Sequence, residues 1–175
     1  MKRVQLFFLA MILMAGTTIQ AQSIDQSKSQ VAFKISNMGG MNTVEGTIQG
    51  MEGSVAFDPG TFSNGTMSVC IDPATIDTDN KKRDEHLMKD DFFGVETYPT
   101  ICFESTSIAQ SETGFVAKGN LTMHGVTQEV EIPFTYADNT FTGTLAVNRK
   151  DFGVGGNGTF MVGGQVEMEI TCVMN

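Results

Sequence analysis

Few side chains in this 175-residue sequence are suited to chemistry near neutral pH: two histidines (His86 and His124), three cysteines (Cys70, Cys102 and Cys172), and hydroxyls such as Ser105, Ser107 and Thr122 among scattered acids. Histidine titrates near neutrality and is a common metal ligand, so His86 and His124 invite an acid-base or metal reading. They stand 38 residues apart without HxH or HExxH spacing, which is weak ground for a metal. His86, inside Arg83-Asp84-Glu85-His86-Leu87, reads better as a brace between a helix and the body of the fold, and His124 as a residue that satisfies a turn. The hydroxyls and acids are the ingredients of a hydrolase, but no GxSxG elbow or paired acid-base motif arranges them. Neither a metal nor a catalytic centre is expected.

The N-terminus sets the compartment. Lys2 and Arg3 precede an apolar stretch, Leu6 to Ala15, and Ala21 is a natural cleavage point, so residues 1–21 read as a secretory signal peptide. That stretch is well short of the roughly 20 residues needed to cross a bilayer as a helix. Gln22-Ser23 replaces the cysteine of a lipoprotein signal, and Lys2-Arg3 is not a twin-arginine pair. General export into a periplasm-like space follows, with release outside the cell as the alternative. Losing Lys2 and Arg3 with the leader takes the formal net charge from −9 to −11, a balance that repels nucleic acid and anionic lipid headgroups. Residues 22–175 are of the usual size for one domain with one substantial core.

The elements that position these residues read as strands. Alternation with period two, the pattern of a sheet with one wet and one buried face, recurs in Val31-Phe33-Ile35, Val55-Phe57, Met67-Val69-Ile71, Ile101-Phe103, Val130-Ile132-Phe134 and Val166-Met168-Ile170. Asp58-Pro59-Gly60, Asn64-Gly65, Thr113-Gly114, His124-Gly125 and Asp138-Asn139 supply turns between them. One segment breaks the pattern, and a short helix is expected there, capped by Asp79 or Asn80 and ended by Gly94. Hairpin-length spacing with one helical insertion predicts an all-β fold, an antiparallel barrel of about eight strands, because closure removes exposed edges. Glycines such as Gly46, Gly119 and Gly143 would ease its bending and leave room inside.

Strand parity also sorts the cysteines. Cys70 shares its face with Ser68 and Asp72, and Cys102 with Thr100 and Glu104, so both are expected to point outward. Their strands flank the helical insertion and are candidate antiparallel neighbours, close enough for a disulfide. Cys172 shares parity with Val166, Met168 and Ile170, so it is expected to be buried and free. Three unpaired thiols stand as an equal alternative, because register cannot be read from sequence.

Several stretches line up, in order and spacing, with one family: Phe33-Lys-Ile-Ser-Asn37-Met-Gly39, Ile76-Asp77-Thr78, Arg83-Asp84-Glu85-His86-Leu87, Asp91-Phe92-Phe93, Tyr98-Pro99-Thr100 through Ser105, Gly119-Asn120-Leu121-Thr122-Met123-His124-Gly125-Val126 and Asn148-Arg149-Lys150-Asp151-Phe152-Gly153. From about Ile24 to Val173 the chain resembles the YceI-like proteins. The resemblance implies a lipocalin-like barrel, exported in bacteria, that binds polyisoprenoid chains such as isoprenoid quinones or polyprenyl lipids, with no catalytic activity or cofactor. The chain departs from the family in two places. Asn37 stands where many members have a histidine, and the stretch Ala137 to Thr144 is short where many relatives are longer and carry extra aromatic or basic residues. With a mature charge of −11, a neutral quinone suits this chain better than a pyrophosphate.

The expected ligand-facing residues are Phe33, Ile35, Val55, Phe57, Met67, Val69, Ile71, Ile101, Phe103, Phe115, Ile132, Phe134, Val166, Met168 and Ile170. Arg83, His86, His124 and Arg149 are expected to line the mouth or to brace it. Two other readings stay open: a structural or interaction barrel filled by its own side chains, and a small hydrolase or redox enzyme using His86 or His124.

Overall fold

The computed structural model describes residues 21–156 and 161–175; the expected leader, residues 1–21, lies outside them except for Ala21. The strands are β1 (Gln22–Ser23), β2 (Gln30–Asn37), β3 (Asn42–Ile48), β4 (Glu52–Ala56), β5 (Thr66–Ile71), β6 (Ile101–Ser111), β7 (Gly114–Met123), β8 (Val126–Ala137), β9 (Thr140–Asn148) and β10 (Gln165–Val173), with one α-helix, α1 (Lys81–Leu87), between β5 and β6. They form a single sheet in the order β1-β4-β5-β6-β7-β8-β9-β10-β2-β3, every described pair antiparallel. The fold is therefore all-β and lipocalin-like, but with ten strands where about eight are expected. The additional strands are weakly patterned. β1 has only two residues, and β3 places Gly46 between the inward Val44 and Ile48.

The sheet curls, and its two edges are covered in different ways. At one end Ile24 bridges Met174, and Asp25 N–H donates to Val173 O at 2.8 Å, so the chain after β1 meets the tail of β10. The free edge of β3 is covered by the insertion: Thr47 and Asp77 exchange backbone hydrogen bonds of 2.9 and 3.0 Å, and Asp72 N–H donates to Gln49 O at 3.1 Å. Covering an edge in this way removes a template for aggregation.

The helix is shorter than expected. Asn80 caps it, its side chain accepting from Arg83 N–H, whereas Asp79 sits before it with φ 57° and donates its N–H to Asp77 Oδ1. The helix stops at Leu87, and the chain reaches Gly94 through tight turns, such as Phe92 N–H to Lys89 O and Gly94 N–H to Lys89 O, both at 2.9 Å. Asp90 and Asp91 favour turns over helix interiors, and the turns bring Phe92 and Phe93 to the inside of the fold.

Candidate ligand cavity

Directly opposed residues of antiparallel strands share a face, so the register builds the interior. Phe33 pairs with Met168, Ile35 with Val166, Val69 with Phe103, Ile71 with Ile101, and Ile132 with Ala117. These side chains, with Val55, Met67, Phe134 and Ile170, surround a cavity of about 450 Å³. Room for it comes from small inward residues. A Cβ on Gly46 would lie 2.7 Å from Phe33 Cζ, and one on Gly119 would lie 2.8 Å from Phe103 Cζ and 2.2 Å from Glu104 O. Each phenyl ring thus folds over a neighbouring strand's glycine, which no larger residue could replace without a shift.

Phe57 and Phe115 are the two expected ligand-facing residues that the structure places elsewhere. They belong to an aromatic plug at the end of the barrel formed by the C-terminal end of β8 and the start of β9. Phe57 follows β4 and meets Phe115, Phe134, Tyr136 and Phe141 with ring centroids 5.1 to 5.5 Å apart, in the edge-on arrangements that aromatic pairs prefer. Phe134 and Phe141 belong to both the plug and the cavity wall, so they form its floor.

The opposite end is roofed by the insertion, with Leu87, Phe92 and Phe93 turned into the cavity. Arg83 lines it too, yet its guanidinium serves the roof: Nε donates to Thr78 Oγ1 at 2.7 Å and Nη2 to Thr78 O at 2.6 Å. The Thr78 hydroxyl donates onward to Asp84 Oδ1, which also accepts from Thr78 N–H at 3.1 Å. Thr78 is 4% exposed, and its neighbour Asp77 is the residue bridged to β3, so α1 is tied to the sheet edge through buried polar contacts. His86 lies at the rim beside Asp91, Nε2 to Oδ2 2.9 Å, with its ring against Phe92.

Arg149 also reaches the cavity but is 4% exposed. Its guanidinium donates to the carbonyls of Gly163 at 2.6 Å, Gly156 at 2.9 Å, Val162 at 3.0 Å and Val154. Burial shifts its pKa below the ordinary arginine value. It ties together two described parts of the single β9–β10 connection, residues 154–156 and 162–163. Asn37 lines the cavity and joins the same structure, its Oδ1 accepting from Gly163 N–H at 3.0 Å. His124 does not line the cavity. It occupies the β7–β8 turn with φ 51°, its Nδ1 lies 3.3 Å from Phe152 O, and Tyr98 packs on its ring.

Cys70 and Cys102 are opposite one another in the β5–β6 register and are joined as a disulfide. Cys172 is free and 5% exposed, at the cavity wall, and burial raises its thiol pKa to about 11. A buried, protonated thiol is unreactive. Ser105 Oγ accepts from Met67 N–H, and Thr122 pairs with Thr127 across strands. Neither adjoins a histidine. Among the described residues, no group of three or more His, Cys, Asp or Glu side chains is placed to hold a metal, and the cavity wall includes no carboxylate or hydroxyl side chain.

Further wall residues lacked a clear sequence signal. Phe141, Leu145 and Val147 alternate around Gly143 on β9, and Ala117 and Leu121 flank Gly119 on β7.

A family model described as the YceI-like domain matches residues 22–174. A UPF0312 protein of Serratia proteamaculans is 33% identical over 126 residues, which cover 70% of this chain and 65% of that relative. The crystal structure of Burkholderia cenocepacia BcnA superposes with TM-score 0.79 at 29% identity, covering 85% of this chain and 98% of that one. A structure described as a polyisoprenoid binding domain from Saccharophagus degradans, implicated in plant cell wall breakdown, superposes with TM-score 0.63 at 14% identity, covering 89% and 97%. At that identity the likeness is one of fold.

Proposed function

This chain belongs to the YceI-like family, and on that premise we propose that it is an exported carrier that holds an isoprenoid or comparably long apolar chain inside its barrel. The observation that carries this reading is the cavity itself: about 450 Å³, walled mainly by aliphatic and aromatic side chains, with no carboxylate or hydroxyl side chain among the described residues that line it. Burial of apolar surface contributes about 25 cal/mol per Å² before ordering costs, enough to retain a long chain without any charged contact. The shared fold with a polyisoprenoid binding domain supports the same ligand class.

A neutral headgroup, such as a quinone, fits better than a pyrophosphate. Arg83 and Arg149, the cations at the cavity, spend their donors on Thr78 and on backbone carbonyls, and the mature chain carries a net −11. Export follows from the leader-like residues 1–21. A barrel filled by its own side chains is disfavoured by the cavity volume.

Native mass spectrometry of gently purified mature protein tests the proposal. A bound lipid of isoprenoid or long-chain mass is expected, and extraction identifies it. Protein that is lipid-free and takes up no added quinone would refute the carrier role.

A further inference from the structure

We infer that the cavity is a length gauge that encloses about eighteen carbons of a single chain, three to four isoprene units, and leaves the rest of any longer ligand outside. The inference rests on the carrier reading above and adds a limit to it. An apolar protein cavity of about 150 Å³ accommodates one benzene, six carbons. On that scale the 450 Å³ here accommodates about three times as many.

The limit is set by what stands at the two ends. At the floor, Phe134 and Phe141 face the cavity and are backed by Phe57, Phe115 and Tyr136. Phe57, Phe134 and Phe141 are each 5 to 6% exposed, and every ring is in contact with at least two others. A chain cannot advance past this interlocked group without displacing several rings together. At the roof, Phe92 and Phe93 line the cavity on a segment held at its base by the Cys70–Cys102 disulfide and at its start by the Thr78-Arg83-Asp84 contacts. A chain longer than the space between must emerge past the roof into water.

Competition among chain lengths tests this. Delipidated mature protein is incubated with phosphatidylcholine vesicles carrying equimolar isoprenyl alcohols of two to nine isoprene units, and the retained alcohols are weighed by native mass spectrometry. A carbon in the vesicle and a carbon in the cavity are equally dry, so chains up to about eighteen carbons should load comparably. Each carbon left in water beyond that should lower occupancy by up to about fourfold. Undiminished loading at nine units overturns the gauge while leaving the carrier intact; no loading at any length overturns both.

Two variants move the limit in opposite directions. Phe134→Ala removes a six-carbon ring from the floor and should lengthen the accepted chain by up to about six carbons. Ala117→Leu fills an inward position that is 1% exposed and should shorten it by about three. If Phe134→Ala does not fold, Ala117→Leu still decides the matter, because an unchanged cut-off in that folded variant overturns the gauge.

Discussion

Cys70 and Cys102 stand directly across the β5–β6 ladder, and their disulfide closes the base of the insertion that roofs the cavity, linking positions 32 residues apart in sequence. The cross-link therefore acts where the roof joins the sheet. In the chain-entropy account, closing a loop of this length stabilises the folded state by about 3 to 4 kcal/mol.

The disulfide gives the first prediction. The Cys70→Ala/Cys102→Ala double variant should lose about 3 kcal/mol in urea unfolding, and wild type in reductant should lose a similar amount. Peptide mapping without reductant should return a linked Cys70–Cys102 peptide. Three freely alkylated cysteines after denaturation would show that the pair does not form.

The second prediction concerns the polar tie beneath α1. Thr78→Val keeps the shape but removes the hydroxyl that accepts from Arg83 and donates to Asp84. Leaving those partners unsatisfied in a largely buried place costs about 1 to 3 kcal/mol. Limited proteolysis should then cut within residues 79–100 before it cuts the strands. Equal stability and an unchanged cleavage pattern would mean that α1 is held by its apolar contacts alone.

What the residues announce in advance, and what they conceal, has one physical origin. Where inward positions are large, as at Phe33-Ile35, Val69-Ile71 and Val166-Met168-Ile170, the two-residue period exposes both strand and facing. Where the barrel needs space, they shrink to Gly46, Ala117, Gly119 and Gly143, the alternation fades, and β3, β7 and β9 are hard to discern. The same glycines that make the cavity thus hide part of its wall. Parity places Phe57 and Phe115 inside, but it cannot distinguish cavity from plug, because that depends on height along the barrel. Parity alone also cannot place the roof: Leu87, Phe92 and Phe93 reach the cavity through turns whose path depends on tertiary contacts.

A third prediction tests the facing of the wall. Phe103 is 9% exposed, and its ring lies over Gly119 at the cavity. Phe103→Asp would place a carboxylate where no cationic side chain adjoins it in the ladder, opposite Val69 and Leu121. An unpaired buried charge costs several kcal/mol, so the variant should melt far below wild type and retain no lipid at neutral pH. Wild-type melting and binding would mean that Phe103 does not face inward.

The last prediction uses the free thiol. Burial raises Cys172 from an ordinary thiol value of 9.0 to about 11, so between those pH values the folded state holds a proton that the unfolded chain has released. Stability depends on pH through the difference in bound protons, and here the unfolded state binds fewer. The contribution is therefore intact below pH 9 and is lost as pH rises toward 11, with a slope of at most about 1.4 kcal/mol per pH unit. Cys172→Val keeps an apolar side chain of similar size at a position that is 5% exposed and abolishes this titration. Its denaturant midpoint should fall less steeply than that of wild type across pH 9 to 11, while the two proteins differ little in pH dependence from pH 6 to 8. Folded wild type should also resist maleimide at pH 8 and react once unfolded, since the thiolate is the nucleophile. Parallel pH profiles, together with rapid labelling of the folded protein, would place Cys172 at the surface and remove it from the cavity wall.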